Sequence, residues 1–137
     1  MPVDDGRCFA CGPENPIGLR LRFAKIGKGT VRATVILKDD FQGWKGVAHG
    51  GIAMALLDEA MAHAALSAGY RAVTARMATR FRKAVPLAQA LTVTGSVAGI
   101  KRRLVSVSAQ LHDADRLLLA EAHGSFLAKS AHVSQLP

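Results

Sequence analysis

Residues 49–69 read HGGIAMALLDEAMAHAALSAG, and this stretch decides the fold. From about Gly51 to Ser67 it is Ala-rich and apolar on nearly every side, which predicts a helix enclosed by other elements. Gly69 is a good stop signal, because glycine readily adopts the left-handed conformation that ends helices. Asp58, Glu59 and His63 interrupt the apolar run, so it reads as a buried helix and not as a membrane span.

Working outward, the flanking segments change to period two. Upstream, Leu19, Leu21 and Phe23 alternate with Arg20 and Arg22, and Val31, Ala33, Val35 and Leu37 alternate across Gly27-Lys28-Gly29. These predict a hairpin, preceded by an irregular lead-in over residues 1–18 and followed by a loop over 38–50. Downstream, Val73, Ala75, Met77 and Phe81 oppose Thr74, Arg76, Arg80 and Arg82, before a break at Val85-Pro86-Leu87. Three more strands follow, around Leu91–Val97, Val105–Leu111 and Leu117–Ala128. The order is two strands, one helix, four strands, with hairpin spacing that favours an antiparallel sheet. A single apolar helix needs that sheet to curve around it. The expectation is one α+β domain over residues 1–137 with a hotdog arrangement, a curved antiparallel sheet wrapped around one long central helix.

Half of the 137 residues are apolar, enough for one globular core. Eighteen Lys and Arg against ten Asp and Glu give a formal charge of +8, a surface that attracts anions. The basic residues are scattered through strand-like segments, with no basic run and no recognisable nucleic-acid signature, so no nucleic-acid partner is expected. Cys8 and Cys11 are too few for a disulfide framework. Their spacing is that of a redox pair or of half a zinc site, but the second ligand pair is missing within this chain, so zinc would need another subunit. No metal is expected, and the two read as simple thiols in a cytoplasmic setting. No apolar leader follows the N-terminal Asp4 and Asp5, and no membrane association is expected.

Two features can carry chemistry. His49-Gly50-Gly51 stands at the helix start, where backbone N–H groups lack helical partners and the dipole is positive. Such a place holds an anion or an oxyanion, although a glycine turn alone is common. Asp58 sits inside the apolar helix. It is either paired with an arginine of the sheet, at a dimer surface, or a desolvated carboxylate of raised pKa. Glu59 points about 100° away from Asp58 and faces His63, four residues on, as a structural or interface pair. There is no Gly-x-Ser-x-Gly elbow and no His-Glu-x-x-His.

Four stretches together resemble the hotdog thioesterases of the phenylacetate-degradation and hydroxybenzoyl-CoA type. They are Cys8-Phe9-Ala10-Cys11-Gly12 with Asn15-Pro16-Ile17-Gly18-Leu19; Phe41-Gln42-Gly43 through His49-Gly50-Gly51; Leu56-Leu57-Asp58-Glu59-Ala60; and Ala72-Val73-Thr74 with Arg80-Phe81 and Val85-Pro86-Leu87. The specific part is His-Gly-Gly with an acidic residue nine positions after the histidine. The resemblance implies an acyl-CoA thioesterase with Asp58 as base or nucleophile and the Gly50 N–H as oxyanion donor. By the same resemblance His49 orients the thioester and Thr74 assists the attacking water. Gly51 and Gln42 border the substrate, and Arg76 and Arg80 are candidates for CoA, which enters as part of the substrate so that no separate cofactor is needed. It further implies a homodimer or homotetramer with the active site at the dimer interface. Two other readings stay open: a hydratase or dehydratase of acyl thioesters on the same fold, and a non-catalytic acyl-CoA binding protein.

Overall fold

The computed structural model describes residues 3–129; His132 and the two ends of the expected 1–137 domain lie outside them. Strands β1 (Ala24–Gly27) and β2 (Thr30–Ile36) lead through a single 3-10 turn (Asp39–Phe41) to helix α1 (Gly50–Ser67). Strands β3 (Ala72–Phe81), β4 (Ala90–Lys101), β5 (Leu104–His112) and β6 (Leu118–Ala128) follow. All six strands form one curved antiparallel sheet in the order β1-β2-β4-β5-β6-β3, with the helix packed on it. This is the expected hotdog arrangement.

The alternating apolar residues account for the sheet's inner face. Val31, Ala33, Leu91, Val93, Val105, Val107, Ala109 and Leu111 are buried against Leu56, Leu57, Ala60, Met61 and Ala64 of α1. Gly95 of β4 is where the helix comes closest. A Cβ there would overlap the carbonyl oxygen of Ala60 and lie 3.2 Å from the Ala60 Cβ. The helix ends as Gly69 predicts. Gly69 takes φ 99°. Its N–H donates to the Leu66 carbonyl at 2.9 Å, and the Tyr70 N–H donates to the Ala65 carbonyl at 3.0 Å. This paired Schellman closure satisfies two of the helix's last carbonyls.

Three expectations need correction. Residues 19–23 are not a strand of the sheet. Arg20 takes φ 55°, and the N–H groups of Leu19 and Leu21 donate to the carbonyls of Phe9 and Ala10, both at 2.8 Å. Leu19 and Leu21 do point inward and are buried, but their partner is the lead-in, so β1 is only the short Ala24–Gly27. The lead-in is thereby tied to the body.

The helix, secondly, is not enclosed within one chain. The sheet covers one side, while Met54 remains 37% exposed and Ile52, Ala55, Asp58 and Ala62 are only half-buried. Thirdly, β3 does not keep one register. Thr74 pairs with Phe126, but Arg76 pairs with Ser125, so Ala75 is an extra residue. A bulge of one residue moves every later side chain to the other face.

Replacing Gly95 by Ala forces the helix off the sheet. The expected cost is about 1–3 kcal/mol, the usual penalty for overpacking. Denaturant unfolding at fixed protein concentration measures it; an unchanged midpoint would show that the helix gives way freely.

Candidate active site

His49 caps α1 with its own side chain. Its Nδ1 accepts the Gly51 N–H at 2.9 Å, and its carbonyl accepts the N–H groups of Ile52 at 2.9 Å and Ala53 at 3.2 Å. Of the first helical donors, the Gly50 N–H is left with no acceptor among the described residues. The preceding loop is held firmly. The His49 N–H donates to the Phe41 carbonyl at 2.9 Å and the Ala48 N–H to the Val85 carbonyl at 2.8 Å. Gln42 braces the same loop by accepting the Gly46 N–H at 2.9 Å on Oε1. Gln42, His49 and Gly51 border one shallow cavity of about 390 Å³. Gly50 borders another of about 360 Å³, beside Trp44, Phe81 and Arg82.

Asp58 lies on the open face of the helix, and Thr74 reaches it from β3. The Thr74 hydroxyl donates to Asp58 Oδ1 at 2.7 Å. This contact is possible because Thr74 precedes the bulge and faces inward, beside the fully buried Phe126. Burial pushes the Asp58 carboxyl above its ordinary 3.8; the Thr74 hydrogen bond pulls the other way, and the nearby Glu59 charge adds to the rise. No arginine ion pair forms on Asp58 among the described residues.

Beyond the bulge, Arg76 and Arg80 face outward, opposite Ser125 and Glu121. The expectation that they share Thr74's face is therefore wrong, and the extra residue at Ala75 is the reason. Arg82 also lies outside, with its guanidinium on Glu121 Oε2 at 2.7 Å and 2.8 Å.

The Gly50 and Asp58 groups sit apart. Asp58 is eight steps along the helix from Gly50, about 12 Å along the axis at 1.5 Å per residue. An oxyanion sits roughly 3 Å from its donor, and an attacking atom about 3–3.5 Å from the carbon. One chain's pair therefore does not meet at a single carbonyl.

The sequence matches the thioesterase superfamily over residues 45–120, more than half of the chain. The chain belongs to that family. Among solved structures, one described as a thioesterase superfamily protein has a TM-score of 0.84 at 30% identity. The alignment covers 89% of this chain and 60% of that one, so the chain spans less than two thirds of its length. A Streptococcus mutans protein bound to acetyl CoA has a TM-score of 0.76 at 23% identity, covering 80% of this chain and 89% of its own. The PaaI protein of the Escherichia coli phenylacetic acid degradation operon has a TM-score of 0.77 at 19% identity, covering 85% and 84%. The last two likenesses concern the fold. No curated protein matched the sequence. Among the described residues, no helix of this thioesterase-superfamily protein is long and apolar enough to cross a membrane.

One cluster escaped the sequence reading. Cys8 Sγ lies 3.9 Å from both carboxylate oxygens of Glu59, across 51 positions of sequence. The Cys11 N–H donates to Cys8 Sγ at 3.4 Å. His63 Nε2 lies 3.1 Å from Glu59 Oε1, and its ring stacks on Phe23 with centroids 4.7 Å apart. Burial pushes the Cys11 thiol far above its usual range, reinforced by the Glu59 carboxylate and the Cys8 thiol. Burial alone would raise Glu59 as well, but hydrogen bonds from His63 and Cys11 and the His63 charge outweigh it, leaving Glu59 below its usual value.

Because burial favours protonated Asp58, stability is lost as pH rises through the ordinary 3.8 and then through the raised folded value. Asp58→Asn removes that burden and keeps an acceptor for Thr74. It should be at least as stable as the native protein at neutral pH by denaturant unfolding. A marked loss would mean that the ionised carboxylate is held by favourable contacts.

Proposed function

We propose that the protein is an acyl-CoA thioesterase that hydrolyses a thioester to a carboxylic acid and CoA, in sites shared between two copies of the chain. The observation that carries this reading is the unspent Gly50 N–H at the start of a helix that also carries the desolvated, Thr74-bound Asp58. The thiolate that leaves has a conjugate acid of pKa about 8.5, so it departs without a strong general acid. What the reaction needs is an activated water or a carboxylate nucleophile, and a donor for the oxyanion. Asp58 serves as the first and the Gly50 N–H as the second. Thr74 positions the carboxylate, and His49 shapes the donor by taking up the neighbouring Gly51 N–H.

Their separation along α1 supports a site completed by a second copy, with Gly50 from one and Asp58 from the other. The open face of α1 and the exposed edge strand β3, with Val73 43% and Phe81 48% exposed, support a homodimer or a higher homo-oligomer. Acyl-CoA is the substrate class favoured by the basic surface and by the acetyl CoA bound to the structurally similar Streptococcus mutans protein. Outward-facing Arg76 and Arg80 then attract CoA phosphates from the rim. Two free thiols suit a reducing cytoplasmic setting. A hydratase reading fits less well, because His49 Nδ1 is occupied by the Gly51 N–H and, among the described residues, His49 forms no pair with a carboxylate.

The test is free-thiol release from a panel of acyl-CoAs. Asp58→Asn should lose about 100-fold or more, the usual weight of a catalytic acid or base. Gly50→Pro deletes the proposed donor and should cost about 100- to 1,000-fold in kcat. Proline is well tolerated at the first helical position, and His49 already has the extended ψ of 137° that a following proline requires. Full activity in either variant would remove that residue from the mechanism. Binding of acyl-CoA without any turnover would favour the non-catalytic alternative.

Activity should fall on the acid side as Asp58 protonates, with a midpoint above 3.8. Thr74→Ala removes the hydrogen bond that favours the ionised form, so this limb should move to higher pH. A kcat/KM profile that does not move would deny Thr74 its role.

A further inference from the structure

We propose that Cys8, Cys11 and Glu59 hold a zinc ion that clamps the lead-in onto α1. One ligand atom from each of the three lies within 4.8 Å of the other two. Zinc bonds of roughly 2.3 Å to sulfur and 2.0–2.2 Å to oxygen, set tetrahedrally, put neighbouring ligand atoms about 3.6–3.8 Å apart. The Cys8 Sγ to Glu59 separations of 3.9 Å are already close to that spacing.

The turn that carries the two sulfurs is built for the task. The Cys11 N–H is directed at Cys8 Sγ, a contact that favours a thiolate. Gly12 closes the turn so tightly that a Cβ there would overlap the Cys8 backbone nitrogen and come within 2.6 Å of the Gly6 carbonyl oxygen. On the helix side, His63 is held by stacking on Phe23 and fixes the Glu59 carboxylate. Carboxylates that ligate metals are themselves held by hydrogen bonds from an outer partner. From the sequence, the missing ligand pair would have to come from another subunit. The fold supplies Glu59 as ligand and His63 as its support.

Charge gives the same answer. All three ligands are anionic in the form that binds. The chain carries eighteen Lys and Arg, yet among the described residues none forms an ion pair with Glu59. Two thiolates with a carboxylate select zinc over magnesium or calcium, which prefer oxygen donors. Each thiol releases its proton on binding, two per ion, and water completes the tetrahedron from the adjoining cavity of about 430 Å³. The clamp would fasten the Cys8–Cys11 turn, which receives the Leu19 and Leu21 N–H groups, to the residue next to Asp58.

The experiment is elemental analysis of the native chain, purified under reducing conditions and dialysed against metal-free buffer, followed by cobalt substitution. About one zinc per chain is expected. The cobalt form should show thiolate-to-metal charge transfer and the visible bands of a tetrahedral ion. Glu59→Gln should alter those bands, and Cys8→Ser should weaken or abolish them. Reduced native protein that binds neither ion overturns the proposal, whatever its thioesterase activity. So does a Cys8–Cys11 disulfide forming in air in protein that never takes up metal. A cobalt spectrum unchanged in Glu59→Gln overturns the ligand set. The native spectrum decides the central point even where a variant fails to fold.

Discussion

The contact of α1 with β4 at Gly95 governs the rest of this molecule. Small residues on both sides let the helix backbone rest almost directly on the sheet, with Ala60 over Gly95. With aromatics only 5% of the sequence, close approach substitutes for bulk in filling the core. Dense packing also fixes the helix in rotation, since a shift would drive Leu56, Leu57 or Met61 into solvent. That rotation leaves Asp58 on the uncovered side, where Thr74 can reach it. It likewise directs Glu59 to the Cys8–Cys11 turn. The two acidic neighbours occupy different surroundings because the helix is seated in only one way.

Those surroundings separate their behaviour. Asp58 has one hydroxyl and a desolvating environment, and holds its proton more tightly than an ordinary aspartate. Glu59 has an imidazole and two thiols, and holds its proton less tightly. Adjacent carboxylates in a single helix thus acquire opposite tendencies through what surrounds them. The raised one is suited to proton transfer, the lowered one to remaining an anion.

Much of this was legible in the sequence, for identifiable reasons. Element order followed from period-two and helical apolar patterns, which report on the core directly. The Gly69 stop, the helix start at His49-Gly50-Gly51 and the oddness of Asp58 in an apolar helix are local features, and local features survive translation into structure. Non-local ones did not. Leu19 and Leu21 alternate as a strand would, but alternation does not name the partner, which proved to be Phe9 and Ala10. The burial of α1 was overestimated because an apolar face looks alike in sequence whether a sheet or nothing in the same chain covers it. The Cys8–Glu59 meeting spans 51 positions and had no local mark.

The irregularity at Ala75 shows what a single surplus residue can do. In an unbroken strand the hydroxyl at Thr74 and the guanidinium groups at Arg76 and Arg80 would point the same way and answer to the same selective demands. With the surplus residue in place, one strand presents a small polar group to the helix side and a row of positive charge to the opposite side. The two can then diverge independently. The outer charges can change without disturbing Asp58, and the hydroxyl can change without altering the outer charges.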